Sequence, residues 1–231
     1  MKTIGLIGGM SWESTVPYYQ DINRAIGARL GGLHSARIVL YSVEFQEIER
    51  LQHAGKWDEA GAILADAARA VRRAGADVIV LCTNTMHKVA PQIEAAVDVP
   101  LLHIVDATAA SVKAAGVTRV GLLGTRFTME QPFYRDRLAD RHALEVLVPP
   151  EGERTRVHTV IYQELCVGIL DDGSRRAFQD IVGGLVARGA QGVILGCTEI
   201  GLLLHPEHAS VPLFDTGRIH AEAAAAFALA E

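Results

Sequence analysis

The residues best suited to chemistry in this chain are two cysteines, each standing after a short apolar run and before a threonine. Cys82 ends the run from Asp77 to Leu81 and opens Cys82-Thr83-Asn84-Thr85; Cys197 follows Gly192 to Gly196 and opens Cys197-Thr198-Glu199. A polar residue at the carboxyl end of a buried strand, beside the start of a helix, stands where open α/β sheets bind ligands. A cysteine acts as a base only as its thiolate, and helix amino-termini and nearby donors are expected to favour that form. Thr83, Asn84 and Thr85, with the helix N–H groups behind them, can hold a substrate carboxylate. If one thiolate takes a proton from a carbon and a second thiol returns one on the opposite face, the centre inverts. That is two-base racemisation or epimerisation, and oriented donors can stabilise its carbanion-like transition state without an organic cofactor.

The elements that must position these residues alternate from start to finish, which indicates an α/β protein with mostly parallel sheets. Strands are expected at Lys2 to Ile7, Arg37 to Val43, Asp77 to Leu81, Leu101 to Ile104, Arg119 to Leu123, Leu144 to Val148, before Cys197, and at Val211 to Phe214. Helices fall between them: from near Thr15 with Pro17 in its first turn, Trp57 to Ala74, after Cys82, Asp106 to Ala115, around Pro132, Arg154 to Val167, Arg175 to Arg188, and an Ala-rich one at the end.

The pattern is written twice. Gly5-Leu6-Ile7-Gly8 returns as Gly121-Leu122-Leu123-Gly124, Cys82-Thr83 as Cys197-Thr198, and Val99-Pro100-Leu101 as Val211-Pro212-Leu213, in one order and at nearly one offset. Two copies of a four-strand α/β unit follow. If the halves face each other, the two cysteines come to opposite walls of one cleft.

Composition narrows the alternatives. The net charge of −5 argues against a nucleic-acid partner, and Arg69, Arg72 and Arg73 read as the solvated side of a helix. No apolar run reaches membrane-spanning length, and the opening strand with its glycines does not read as a signal peptide. Three cysteines without close pairs point to free thiols in a reducing compartment, so the cytoplasm is expected. The order of glycines in Gly5-Leu6-Ile7-Gly8-Gly9-Met10 is not that of a dinucleotide site, and no phosphate-binding GK[ST], GxSxG elbow or CxxC pair occurs. The nine histidines are scattered; His205 and His208 read as surface residues rather than metal ligands, and Cys166 as an ordinary buried residue on a helix. For Trp12 two readings stand open, a cleft wall or the cover of a helix end.

These residues together resemble the cofactor-independent aspartate/glutamate racemase family. The likeness is carried by Gly8-Gly9-Met10, Cys82-Thr83-Asn84-Thr85, Gly124-Thr125 and Gly196-Cys197-Thr198-Glu199-Ile200, and it spans essentially the whole chain. It is nearest to the branch of broad-specificity amino-acid racemases that contains YgeA. The resemblance implies two Rossmann-like domains related by a pseudo-twofold axis, with an active site in the interdomain cleft. The first domain would be discontinuous, 1–103 plus 214–231, with 104–213 as the second. It further implies a homodimer without pyridoxal phosphate or metal, acting on a small-molecule amino-acid substrate. Cys82 and Cys197 match the catalytic pair; Asn84, Thr85, Thr125 and Thr198 match positions holding the α-carboxylate and α-amino groups; Met10 matches a position lining the cleft.

One departure bears on substrate. Aspartate-specific relatives carry a basic residue in the loop after the second strand, whereas Val43 to Gln52 here is mainly acidic, with Arg50 as its only cation. Either the substrate's side chain is neutral, as in homoserine or an aliphatic amino acid, or Gln52 and a distant cation recognise it; the acidic residues can equally be a solvent face. Glu199 has two readings as well, a partner of Cys197 in proton handling or a helix cap. The expected activity is an amino-acid racemase acting on Asp, Glu, homoserine and others. A decarboxylase or cis–trans isomerase of the same fold, or a non-catalytic amino-acid sensor, are the alternatives.

Overall fold

Apolar runs such as Ile4 to Ile7 and Val78 to Leu81 have no polar alternation, so each strand must be covered on both faces, the condition of a parallel sheet between helices. The computed structural model describes residues 1–230, which divide into two units: Met1–His103 with the segment from His220 onward, and Ile104–Ile219.

In the first unit the sheet order is β2-β1-β3-β4, all parallel, from β1 (Ile4–Gly8), β2 (Ile38–Ser42), β3 (Val78–Leu81) and β4 (Leu101–Leu102). Alternation along the strands sorts the core into two layers. Ile4, Leu6, Val78, Val80 and Cys82 pack under α1 (Trp12–Leu30) and the C-terminal α11 (Thr216–Leu229), whereas Ile7, Ile79 and Leu81 pack under α2 (Phe45–His53) and α3 (Trp57–Arg73). On α11 the small residues Ala221, Ala224, Ala225 and Ala228 form one buried stripe, which brings its backbone close to the sheet.

The second unit repeats the order as β6-β5-β7-β8, again parallel, from β5 (Arg119–Gly124), β6 (Glu145–Leu147), β7 (Gly192–Gly196) and β8 (Leu213–Asp215). Its helices are α5 (Ile104–Ala114), α6 (Arg126–Glu130), α7 (Pro132–Asp136), α8 (Glu151–Gln163), α9 (Asp172–Ala187) and α10 (Ile200–Leu203). The two units are thus two Rossmann-like domains of one strand order, as the duplicated sequence requires. Among the described residues no helix is long and apolar enough to cross a membrane.

Several boundaries differ from the sequence expectations for local reasons. The first helix starts at Trp12 rather than Thr15: Thr15 Oγ1 donates to the Ser11 carbonyl and accepts from Gly9 N–H, which pins the first turn against the glycine loop and leaves Pro17 inside the helix. The segment read as a loop after β2 is α2, whose amino-terminus is capped by the Glu44 carboxylate accepting from Gln46 and Glu47 N–H. Its Ile48, Leu51 and Gln52 turn inward while Glu47 and Arg50 are exposed, so the acidic residues form the solvent face. After Cys82 the chain makes a 3-10 turn, Thr85–Val89, and then only the short α4 (Ala90–Glu94), with Pro91 in its first turn. Pro132 stands at the start of its helix as expected, but that helix is α7, parted at Gln131 from the short α6. Finally, β8 pairs with β7, so the chain returns to the first unit at His220 rather than at residue 214.

Candidate active site

In the first unit the β1 end is shaped by glycine. Gly9 has φ +92, and a Cβ there would lie 2.4 Å from the Val43 carbonyl, so only glycine lets this loop pass so close to the chain leaving β2. The next residue, Met10, is buried. The adjacent β3 delivers Cys82, whose N–H donates to the Ile7 carbonyl at 2.9 Å and thereby extends the β1–β3 ladder by one residue. Thr83 N–H folds back to the Leu81 carbonyl at 2.9 Å, and Asn84 then leads into the 3-10 turn. Thr83, Asn84 and Thr85 are all buried. Gln52 is buried too, its amide 3.0 Å from Met86 Sδ, which attaches α2 to the turn after Cys82. Met10 and Met86 belong to the α2/α3 layer, whereas Cys82 lies in the α1/α11 layer.

In the second unit Gly124 and Gly196 are register partners at the ends of β5 and β7, and a Cβ on Gly124 would lie 2.7 Å from the Gly196 carbonyl. Thr125 caps α6, its hydroxyl accepting from Thr128 N–H at 3.3 Å. Cys197 and Thr198 follow β7 directly. The Cys197 thiol donates to Glu199 Oε2 at 2.9 Å, and the Thr198 hydroxyl donates to the same oxygen at 3.0 Å. Glu199 is 1 % exposed, and its side chain makes no cap bond to α10 but accepts from the thiol and the hydroxyl.

The electrostatics overturn one sequence expectation. Neither thiol is driven toward the thiolate. Burial pushes Cys82 well above the usual cysteine range. Burial does the same to Cys197, and the negative charge of Glu199 adds to it. The reason is geometric: a 3-10 turn and a single-turn α10 supply little dipole, and they cannot offset the full desolvation of a sulfur anion. Each cysteine is therefore held as a thiol within its own unit, and that of Cys197 donates to Glu199.

Cys166 is the residue that the sequence reading passed over. It lies in the 3-10 turn Leu165–Val167 after α8, where burial first and then the charge of Glu199 raise it. Cys166 and Cys197 thus both face the Glu199 carboxylate. No local spacing announces this, because the turn after α8 meets α10 only in the folded unit. The surface reading of the arginines holds, since Arg72 pairs with Asp98 and Arg69 with Asp66, and Trp12 is exposed.

Comparison with known proteins adds a family to this geometry. The model of the Asp/Glu/hydantoin racemase family matches residues 7–224. A protein of Yersinia pestis provisionally described as an Asp/Glu racemase has a crystal structure that is 57% identical, covers 100% of both chains and superposes with a TM-score of 0.92. An aspartate racemase homologue from Pyrococcus horikoshii OT3 is 35% identical over 99% of both chains, with a TM-score of 0.83. The broad specificity amino-acid racemase RacX of Bacillus subtilis (strain 168) is 23% identical over 222 residues, 92% of each chain.

Proposed function

This chain belongs to the Asp/Glu/hydantoin racemase family, and from that premise we propose that it interconverts L- and D-amino acids by two-base proton transfer between Cys82 and Cys197. The observation that carries the reading is the repetition of one site in two sheets: in each unit the strand beside the first one ends in a buried Cys-Thr turn. A racemase needs equivalent groups for the two faces of one carbon, and a duplicated unit supplies them.

The thiol at Cys197 passes its proton to Glu199 to become the base, while the Cys82 thiol is already in the protonated form that returns a proton. Asn84 and Thr85 in the first unit, with Thr125 and Thr198 in the second, take the α-carboxylate and α-ammonium groups. Thr83 and Met10 complete the pocket wall, and Gln52, the buried polar group of α2, meets the side chain. With Arg50 on the solvent face, α2 brings no cation to the substrate. That supports a range extending from Asp and Glu to homoserine and other neutral amino acids. It also suits the YgeA branch and the broad specificity of RacX. A homodimer acting in the cytoplasm completes the proposal.

The test is a panel of single enantiomers in D₂O without added cofactor, followed by proton NMR. Loss of the α-proton signal identifies substrates, and Cys82→Ser and Cys197→Ser should each abolish it by at least about a thousandfold, the scale of lost acid–base catalysis. The unequal surroundings of the two thiols keep one alternative in view, a decarboxylase or cis–trans isomerase in which one cysteine dominates. There the two variants differ sharply. A sensor binds a ligand and exchanges no proton at all.

A further inference from the structure

The histidines that are scattered in sequence are not scattered in space. His87, His103 and His220 are all buried in the first unit, with Tyr18 beside them. His220 Nε2 lies 2.7 Å from the Leu102 carbonyl and Nδ1 lies 3.0 Å from the Tyr18 hydroxyl. A carbonyl only accepts, so Nε2 carries the proton, and the neutral ring accepts the tyrosine proton at Nδ1. Burial supports this form by depressing His220 to about 4. One residue beyond Leu102, the His103 ring packs on the His87 ring at 4.5 Å, and His87 is 6.0 Å from His220.

His87 ends the column at the candidate site. Its Nδ1 lies 2.7 Å from the Thr83 carbonyl and must donate to it by the same argument. Thr83 follows Cys82 directly, and its N–H is held by the Leu81 carbonyl. The residue after the thiol is therefore fixed at both its N–H and its carbonyl.

We propose that His87 is a positioning residue for Cys82, acting through the Thr83 carbonyl, and that the His103 ring and the Tyr18–His220 pair brace it from β4, α1 and α11. This rests on the racemase reading given above. The carbon-to-sulfur proton transfer is sensitive to ångström-scale placement, and the backbone at 82–83 aims the sulfur. It also gives the returning C-terminal helix a role in the site beyond covering the sheet.

Two substitutions separate positioning from general damage. His87→Leu keeps bulk and removes the donor, while His87→Asn places an amide nitrogen where Nδ1 sits. In His87→Leu, kcat/KM falls about tenfold, the usual scale for one hydrogen bond, and falls equally for both enantiomers because a racemase has an equilibrium constant of one. The α-deuterium isotope effects must diverge: larger for the enantiomer whose proton Cys82 takes, smaller for the other. His87→Asn restores both rate and isotope effects toward wild type.

In the substrate-free protein, the ratio of iodoacetamide labelling at Cys82 to that at Cys197, read by mass spectrometry, shifts about fivefold or more in His87→Leu and returns in His87→Asn. A folded His87→Leu with unchanged isotope effects and labelling ratio overturns the proposal, as does an Asn variant no better than Leu. If His87→Leu does not fold, His103→Leu, which removes the ring contact and keeps the bond, must show the same divergence in weaker form, and its absence overturns the proposal. If wild type exchanges no amino acid, the racemase reading fails and the labelling ratio alone decides the positioning claim.

Discussion

Replacing Glu199 with glutamine preserves the side chain's volume at a nearly solvent-free position and removes its charge. In the native protein that carboxylate accepts from the Cys197 thiol at 2.9 Å, so a sulfur anion there would face a negative oxygen. With charge centres about 4 Å apart and an effective dielectric near 20, the repulsion is about 4 kcal/mol, which holds the thiol in its protonated form. Some of this is offset where the amide carbonyl still accepts from the thiol. The remainder still predicts that Cys197 is labelled by iodoacetamide at least about tenfold faster at pH 8 in Glu199→Gln, since the thiolate reacts and the thiol does not. The same substitution removes the group that takes the Cys197 proton during turnover, so α-proton exchange should fall about a hundredfold or more. The two readouts move in opposite directions, which mere disruption of the site does not produce. Labelling that is unchanged or slower in the folded variant would refute the electrostatic argument, whatever happens to activity.

Two further outcomes concern stability. His220 is held neutral, with its folded value lowered to about 4 from 6.5, so the unfolded chain binds the proton more readily. Its contribution is complete above about pH 6.5 and is lost as pH falls toward 4, a total of about 3 kcal/mol; Tm measured from pH 7.5 to 4.5 should drop more steeply for wild type than for His220→Gln. Leu6, wholly buried on the central strand β1 between α1 and α11, should cost about 2–5 kcal/mol when replaced by alanine, read as a lowered denaturation midpoint with unchanged m.

Much of this molecule is legible in its residues, because the relevant forces act between near neighbours in the chain. Apolar runs without alternation announce buried parallel strands, glycines and prolines mark where they end, and a repeat of Gly-Leu-Ile-Gly and Cys-Thr announces two copies of one unit. The cysteines, the threonines that follow them and Gly9 are therefore found at strand ends, as expected. Where the reading of α2 failed, the cause was also local. Glu44 was counted as a charge in a loop, although an acid three residues ahead of Glu47 is a helix cap.

The sequence could not decide how the charges and rings are shared. Cys166 reads as an unremarkable helix residue until the turn after α8 packs on α10 and both thiols meet one carboxylate. His87, His103 and His220 lie far apart in the chain, and α11 must return to the first sheet before their rings approach. The protonation state of the thiols depends on burial, which is a property of the assembled layers. The residues select the helix ends and the sulfur atoms; only their packing removes the water that would have let those sulfurs ionise.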